Sequence, residues 1–582
     1  MKKSITLLLA ACLYVGAVAQ NLEHVFNMDK LVASKGLLLS QNNPNPFDGT
    51  TDVYLAVIDP TEVTLAVADV YGQLAATYTG SFESGVHQFR ISLKAKGNYV
   101  LGAHQNRKRS SIVMLCHEGC GSNKLEYVGL VEAIDAELFA ELLNQDSDED
   151  YIGYSTVQSA QHNALAEPFR VALSLSPFTL NQFDAGYTFK VGDKTATTPA
   201  QLQQIYKDLG STEMYVRLAT KRHKTYKADG SLDNTTDGKP DENANVHTFD
   251  QVMQTCRIAA SLNIPINPEV MCAYIYMDMD GTQAPRFYKS DYPELYNSTK
   301  HPEFAKILKD GNAKWEELSL DEICKVLEIY GEFVADSILA TGATVNDWNL
   351  GNEANFGFAG IGIGTPNSFD QELAGAGQMK RYMSSLFSLY WLKKHVWCYN
   401  VKQYAALQRG ILKAYANAGK DASNVKFSTH IATVTSTPRA TASFFKYMLE
   451  HGYDMQTAGI SYYPSAPAMS FNKKKMLTKT VTRINKKCGI PVFIGEFSYP
   501  SQDMVGPFAG WNQELKGYPK NQQGQADIYR DVIAWGKDHG LIGIRYWAPD
   551  YEGEWYPMSI FTFENKVGTA KTLLLNHKEI VQ

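Results

Sequence analysis

Past its first twenty residues the 582-residue chain holds no apolar run of the ~18 to 20 residues that crossing a bilayer takes, so no transmembrane segment is expected. Basic tracts are missing as well. With 55 Lys and Arg against 61 Asp and Glu the formal charge is -6, which gives no reason to expect nucleic acid or a polyanionic substrate. Cysteine is sparse, at 8 residues. Five of them (Cys256, Cys272, Cys324, Cys398, Cys488) are scattered through apolar stretches, which reads as buried thiols rather than a disulfide framework. Cys116-His117-Glu118-Gly119-Cys120 is the one cluster. It reads as a local disulfide or two free thiols, because a metal site there would need ligands from elsewhere in the fold.

What is present is core-forming and aromatic. Hydrophobic residues make up 44% and aromatics 12%, and the length points to two domains, one large enough to be a barrel with insertions. The 33 Tyr and 8 Trp serve the core first and can also supply flat faces for stacking sugars. The N-terminus, MKKSITLLLAACLYVGAVAQ, joins a basic pair to an apolar run and to small residues at Ala17 and Ala19, the pattern of an export signal over residues 1–19. Leu9-Ala10-Ala11-Cys12 also resembles a lipoprotein cleavage box, which makes a lipidated Cys12 the alternative to plain secretion. A periplasmic, cell-surface or extracellular protein is expected.

Residues 36–120 alternate short β-rich runs with turn signals (TDVYLAV, VTLAVADVYG, HQFRISL, GNYVLGAH, SSIVML), the rhythm of a small all-β sandwich. This stretch resembles the immunoglobulin-like modules related to flagellar-hook capping proteins and secretion-sorting domains. Such sorting modules lie at the C-terminus, so here a spacer or docking role is expected. Residues 121–167 read as an acidic linker containing NQDSDEDY. From 168 to 578 the rhythm changes. Eight apolar runs, FRVALSLS, EMYVRLAT, INPEVMCAYIYM, VNDWNLGN, VKFSTHIA, TAGISYYP, IPVFIGEFSYP and IGIRYWAP, alternate with helix-like stretches. The fold class is α/β. Periodicity fits a closed (β/α)8 barrel and also an open doubly wound sheet.

In a barrel the chemistry sits at the C-terminal ends of the strands. Glu353 closes the fourth run and Glu496 the seventh, each after a Gly, and barrel closure brings two such positions across one mouth. A carboxyl pair of this kind is what glycoside hydrolysis uses: one protonates the leaving oxygen while the other attacks or activates water. Asn352 adds an amide suited to a sugar hydroxyl, Arg217 in MYVRLAT a cation able to keep a carboxylate ionised, and Trp547 in IRYWAP a candidate subsite floor.

These stretches, with SYYP, NE and YWxP in that order, resemble the clan A glycoside hydrolases and within them family 53, the endo-β-1,4-galactanases. The likeness runs from about Phe169 to Leu575 and is strongest after Val345. The resemblance implies a (β/α)8 barrel, Glu353 as acid/base and Glu496 as nucleophile of a retaining mechanism, with Asn352, Arg217 and His430 beside them. It also implies that Tyr462 or Tyr463 donates to the nucleophile. The implied substrate is a polysaccharide, β-1,4-galactan of pectin; the alternatives are another β-glycan linkage or a non-catalytic glycan-binding surface protein. Departures concern the sugar-binding walls: EVMCAYIYMDMDGTQAPRFYKSDYPELYN lacks the family's third-strand tryptophan, Ala548 replaces an acid, and EFSYP replaces an ETAYP-like run. No organic cofactor is called for. DNTTDGKPDE offers Asp233, Asp237 and Asp241 as calcium candidates, although Ala244 stands where a calcium loop would carry Glu.

Overall fold

A computed structural model describes residues 36–58, 60–106, 108–133, 168–221, 235–236, 239–240, 246, 248–274, 282–374, 378–386, 389–467 and 473–582. The leader with Cys12, the acidic run NQDSDEDY and the calcium candidates Asp233, Asp237 and Asp241 lie outside the described residues. The chain forms two compact units, one built on the N-terminal strands and one on the barrel.

The N-terminal unit has a four-stranded sheet in the order 37–39, 50–57, 85–92, 124–133 and a five-stranded sheet in the order 47–48, 108–118, 97–105, 61–69, 74–82. Inward residues of both sheets, among them Val53, Leu55, Val63, Leu65, Phe89, Leu101 and Met114, form one buried core. One boundary differs from the sequence expectation. Lys124–Ala133, read as the start of the acidic linker, is an edge strand paired antiparallel with Gly85–Ser92. Its second half leaves Tyr127, Val128, Leu130 and Val131 exposed, so it lacks the in-out alternation that marks a half-buried strand. Cys116 and Cys120 are free thiols.

The eight apolar runs of the second unit form one parallel sheet, in chain order around the barrel: Arg170–Ala172, Met214–Leu218, Ile266–Val270, Trp348–Leu350, Phe427–Ala432, Thr457–Tyr462, Val492–Phe497 and Leu541–Tyr546. First and eighth strands pair directly, which rules out the open doubly wound sheet. Between first and second strands side chains help to close the seam: the Thr212 amide donates to the Val171 carbonyl (2.8 Å), the Val171 amide to Thr212 Oγ1 (2.8 Å) and the Leu173 amide to Ser211 Oγ (3.1 Å). Strands so enclosed are buried on both faces, hence their nearly continuous apolar runs.

Helix Leu320–Ala340, started by a Ser319/Glu322 capping box, packs against helix Cys398–Asn417. Close approach depends on two glycines: a Cβ at Gly331 would lie 2.5 Å from the Leu407 carbonyl oxygen, and one at Gly410 1.9 Å from that of Glu328. The barrel interior is polar. Arg170 lies 3.6 Å from Glu213 and 3.5 Å from Asp347, and the Arg545 guanidinium stands over the rings of Tyr215 and Phe493 at 4.7 and 4.4 Å. Arg170 is ion-paired here and Arg545 is met by ring faces, which offsets part of the cost of desolvating them. Toward the C-terminal rim this polar interior continues into the site.

Candidate active site

Alternation along each strand decides which residues reach the interior. Tyr215 and Arg217, Asn267 and Glu269, and Ser428 and His430 occupy inward positions two apart. In the seventh strand Phe493 faces Arg170 and Arg545, and a Cβ on Gly495 would lie 3.4 Å from His430 Cγ, so these two point inward. Period two would then send Glu496 outward. A register shift intervenes: Ile460 pairs with Ile494 but Ser461 with Glu496, leaving Gly495 as the extra residue. This bulge turns the Glu496 carboxyl into the mouth.

There Glu496 accepts hydrogen bonds from the Arg217 guanidinium and from the Tyr463 hydroxyl, the latter at 2.5 Å. Burial pushes the Glu496 carboxyl up, but the Arg217 charge and the donors around it outweigh burial and hold it well below the usual carboxylate range. Arg217 is itself held by several groups. It donates to Asn352 Oδ1 (2.9 Å) and Tyr215 Oη (2.7 Å), pairs with Glu269 (2.6 Å), and lies 4.2 Å over the Trp547 ring.

Glu353 follows the fourth strand at φ +41°, in the left-handed region that is costly for a side chain, by roughly 1–2 kcal/mol. Cys272 and Ala548, just past the third and eighth strands, share that conformation (φ +53° and +47°). Strained backbone is thus gathered at one rim, where surrounding structure must hold it. For Glu353 the restraint is His430: the Glu353 amide donates to His430 Nε2 (3.2 Å), and the next amide, of Ala354, donates to the His430 carbonyl (3.0 Å). His430 Nε2 also lies 3.8 Å from Glu496 Oε1. One imidazole therefore touches the backbone of one rim glutamate and approaches the carboxylate of the other.

The sequence candidates Glu353, Glu496, Asn352, Arg217, His430, Tyr463 and Trp547 all come together at this rim. The choice between Tyr462 and Tyr463 is settled here, and Trp547 takes a different part from that expected. Tyr462 points away from the mouth, its ring 6.3 Å from that of Phe497, leaving Tyr463 as the donor. Trp547 is 6% exposed with one face under Arg217, so it supports the guanidinium rather than presenting an open floor. Half-buried aromatic surface lies farther out: Trp511 meets Tyr463 and Trp555 at 5.3 Å each, and Phe178 stacks on Tyr551 at 4.0 Å. These aromatic residues and Glu269 were not singled out from sequence. Glu269 had a signal, a charge inside the apolar run INPEV; the aromatics sit in loops with no periodic pattern. Among the described residues no group of three or more His, Cys, Asp or Glu side chains is placed to hold a metal ion.

A parallel barrel whose C-terminal rim joins two buried glutamates through an arginine, an asparagine and a histidine defines the glycoside hydrolases as its class. The family model described as glycosyl hydrolase family 53 matches residues 309–572, which include both glutamates. The chain is a glycoside hydrolase, and over residues 309–572 its barrel is similar to glycosyl hydrolase family 53. In structure it is similar to a fungal β-1,4-galactanase (14% identity, 70% of this chain and 99% of that chain covered, TM-score 0.47). It is also similar to the GH53 catalytic domain of Ignisphaera aggregans (16% identity, 73% and 99% covered, TM-score 0.47). A β-glucuronidase from Ruminococcus gnavus aligns more loosely (10% identity, 94% and 68% covered, TM-score 0.33). No curated protein matches the sequence. No helix among the described residues is long and apolar enough to cross a membrane.

Proposed function

We propose that this protein is an exported, retaining endo-β-1,4-galactanase that hydrolyses the galactan side chains of pectin. Glu496 is the nucleophile and Glu353 the acid/base. The observation that carries this reading is a buried carboxylate held ionised at the same barrel rim as a second glutamate. Glu496 is kept charged against burial by Arg217 and Tyr463, as an attacking carboxylate needs. Glu353 is tethered through its backbone amide to His430, which fixes where the acid/base stands at the rim. Glu496 attacks the anomeric carbon as Glu353 protonates the departing oxygen, and a covalent glycosyl-enzyme forms. Glu353 then takes a proton from water, and the sugar leaves with its configuration retained. In this reading Asn352, bonded to Arg217, meets a sugar hydroxyl next to the bond that breaks. Half-buried Trp511 and Tyr551 give the mouth faces of the kind sugars stack on.

A second reading, a different β-glycan linkage, is favoured by the segment after the third strand, where the tryptophan that the family resemblance leads one to expect is missing. Incubating the protein with galactan, arabinogalactan, mannan and xylan and profiling the products separates the two. Galactan cut internally, with β-configured first products by NMR, supports the proposal. Glu353→Gln is expected to lower kcat by about a hundredfold to ten-thousandfold. Absence of cleavage on all four glycans, or a Glu353→Gln enzyme as active as the original, would defeat the assignment.

A further inference from the structure

The carboxylate of Glu269, from the third barrel strand, is completely buried. Two of its three partners, Arg217 and His430, are groups that hold the two rim glutamates. Glu269 Oε1 lies 2.6 Å from Arg217 Nε, while Oε2 accepts from Asn349 Nδ2 at 2.8 Å and stands 3.3 Å from His430 Nδ1. The protonation of His430 follows from a donor that cannot change. A backbone amide only donates, and the Glu353 amide points at His430 Nε2, so Nε2 must present its lone pair. A neutral imidazole then carries its proton on Nδ1, which faces Glu269. The 3.1 Å approach of Asn349 Nδ2 to His430 Nδ1 fits this arrangement, because Asn349 Nδ2 donates to the same Glu269 oxygen that His430 Nδ1 faces.

We propose that Glu269 is a positioning residue that fixes His430 as its Nδ1–H tautomer and anchors Arg217, so that one buried carboxylate sets the place of both rim glutamates. This rests on the roles given above to Glu353 and Glu496. On the acid/base side the path is Glu269, His430 Nδ1–H, the Nε2 lone pair, and the amide of the left-handed Glu353. On the nucleophile side it is Glu269, Arg217 Nε, and the Arg217 terminal nitrogen that binds Glu496. Without the carboxylate the imidazole is free to protonate Nε2. That proton would oppose the Glu353 amide, and the strained turn would lose its tether. A carboxylate behind a histidine that fixes which nitrogen is protonated is a general device.

Two measurements test this. In the wild-type protein labelled with 15N-histidine, with the His430 signals assigned from the His430→Gln variant, Nδ1 is expected to carry the proton and Nε2 to be unprotonated at neutral pH. A protonated Nε2 overturns the proposal, and because no substrate is involved this result is independent of whether the sugar reading holds. In Glu269→Gln, kcat is expected to fall by about tenfold to a hundredfold, as for a small displacement of reacting groups, with KM within about twofold. An unchanged kcat in a folded variant overturns the proposal as well. If Glu269→Gln does not fold, the tautomer measured in the wild type decides.

Discussion

Glu496 owes its charge chiefly to Arg217, and two of the neighbours that lower its carboxyl, Arg217 and Tyr463, can each be removed singly. Burial alone would raise its carboxyl; the Arg217 guanidinium reverses this, and Tyr463 adds a short donor. Because the folded value is depressed, the pairing contributes stability above the ordinary carboxylate range, and that contribution is lost as pH falls through the depressed value. Arg217→Met is therefore expected to move the acid limb of kcat/KM to higher pH and to lower the plateau; an acid limb that stays in place would contradict the pairing. Tyr463→Phe removes one hydrogen bond to a charged oxygen, worth about 1.5–3 kcal/mol, so kcat should fall by about tenfold to a hundredfold with the fold intact. The carboxyl pair was legible in the sequence because each glutamate ends an apolar run. Choosing between Tyr462 and Tyr463 was not, because adjacent residues on a strand face opposite ways and the phase is set by the neighbouring strands. Glu269 was passed over because its partners lie on the second, fourth and fifth strands, far from it in sequence.

Elements position the site through contacts that only a missing side chain permits. His430 pairs in register with Gly459 of the sixth strand, and a Cβ there would stand 2.5 Å from His430 Cβ and 2.8 Å from the Thr429 carbonyl oxygen. Gly459→Ala is expected to cost about 1–3 kcal/mol of stability, read from denaturant unfolding, and to lower kcat by displacing His430. An alanine variant with unchanged kcat and stability would show that the strands give way. All eight barrel strands could be found from their apolar runs, since burial on both faces leaves long unbroken signals. Their ends were harder to place. The third run, INPEVMCAYIYM, stops as a strand at Val270 because Cys272 turns left-handed, and nothing in its composition announces that turn. The bulge at Gly495 is likewise a product of pairing, invisible to alternation, which would have aimed Glu496 outward.

At the scale of the whole molecule, none of the seven cysteines in the described residues is paired. Cys120 is exposed and its thiol is lowered by hydrogen bonds from the Ser122 backbone, whereas burial pushes Cys324, Cys398 and Cys488 up to about 11 and Cys256 to about 12. A thiol reagent added to the folded protein should therefore label Cys120 quickly, the half-buried Cys324, Cys398 and Cys488 more slowly, and the fully buried Cys116, Cys256 and Cys272 only on unfolding, with the fast phase absent in Cys120→Ser. The melting temperature should be the same with and without reductant. A reductant-sensitive melting temperature would point to a disulfide instead.

The sequence by itself determined the class of fold, the two-part organisation and the two glutamates, because strand burial, turn chemistry and a charge at the end of an apolar run are all local patterns. Tertiary structure alone decided how those glutamates are held. Barrel closure put the second, third, fourth, fifth and seventh strands around one mouth, a bulge turned Glu496 inward, and His430 met Glu353 and Glu269 on its two nitrogens. Such contacts join residues up to 279 positions apart, as between Arg217 and Glu496, and only register and close packing specify them.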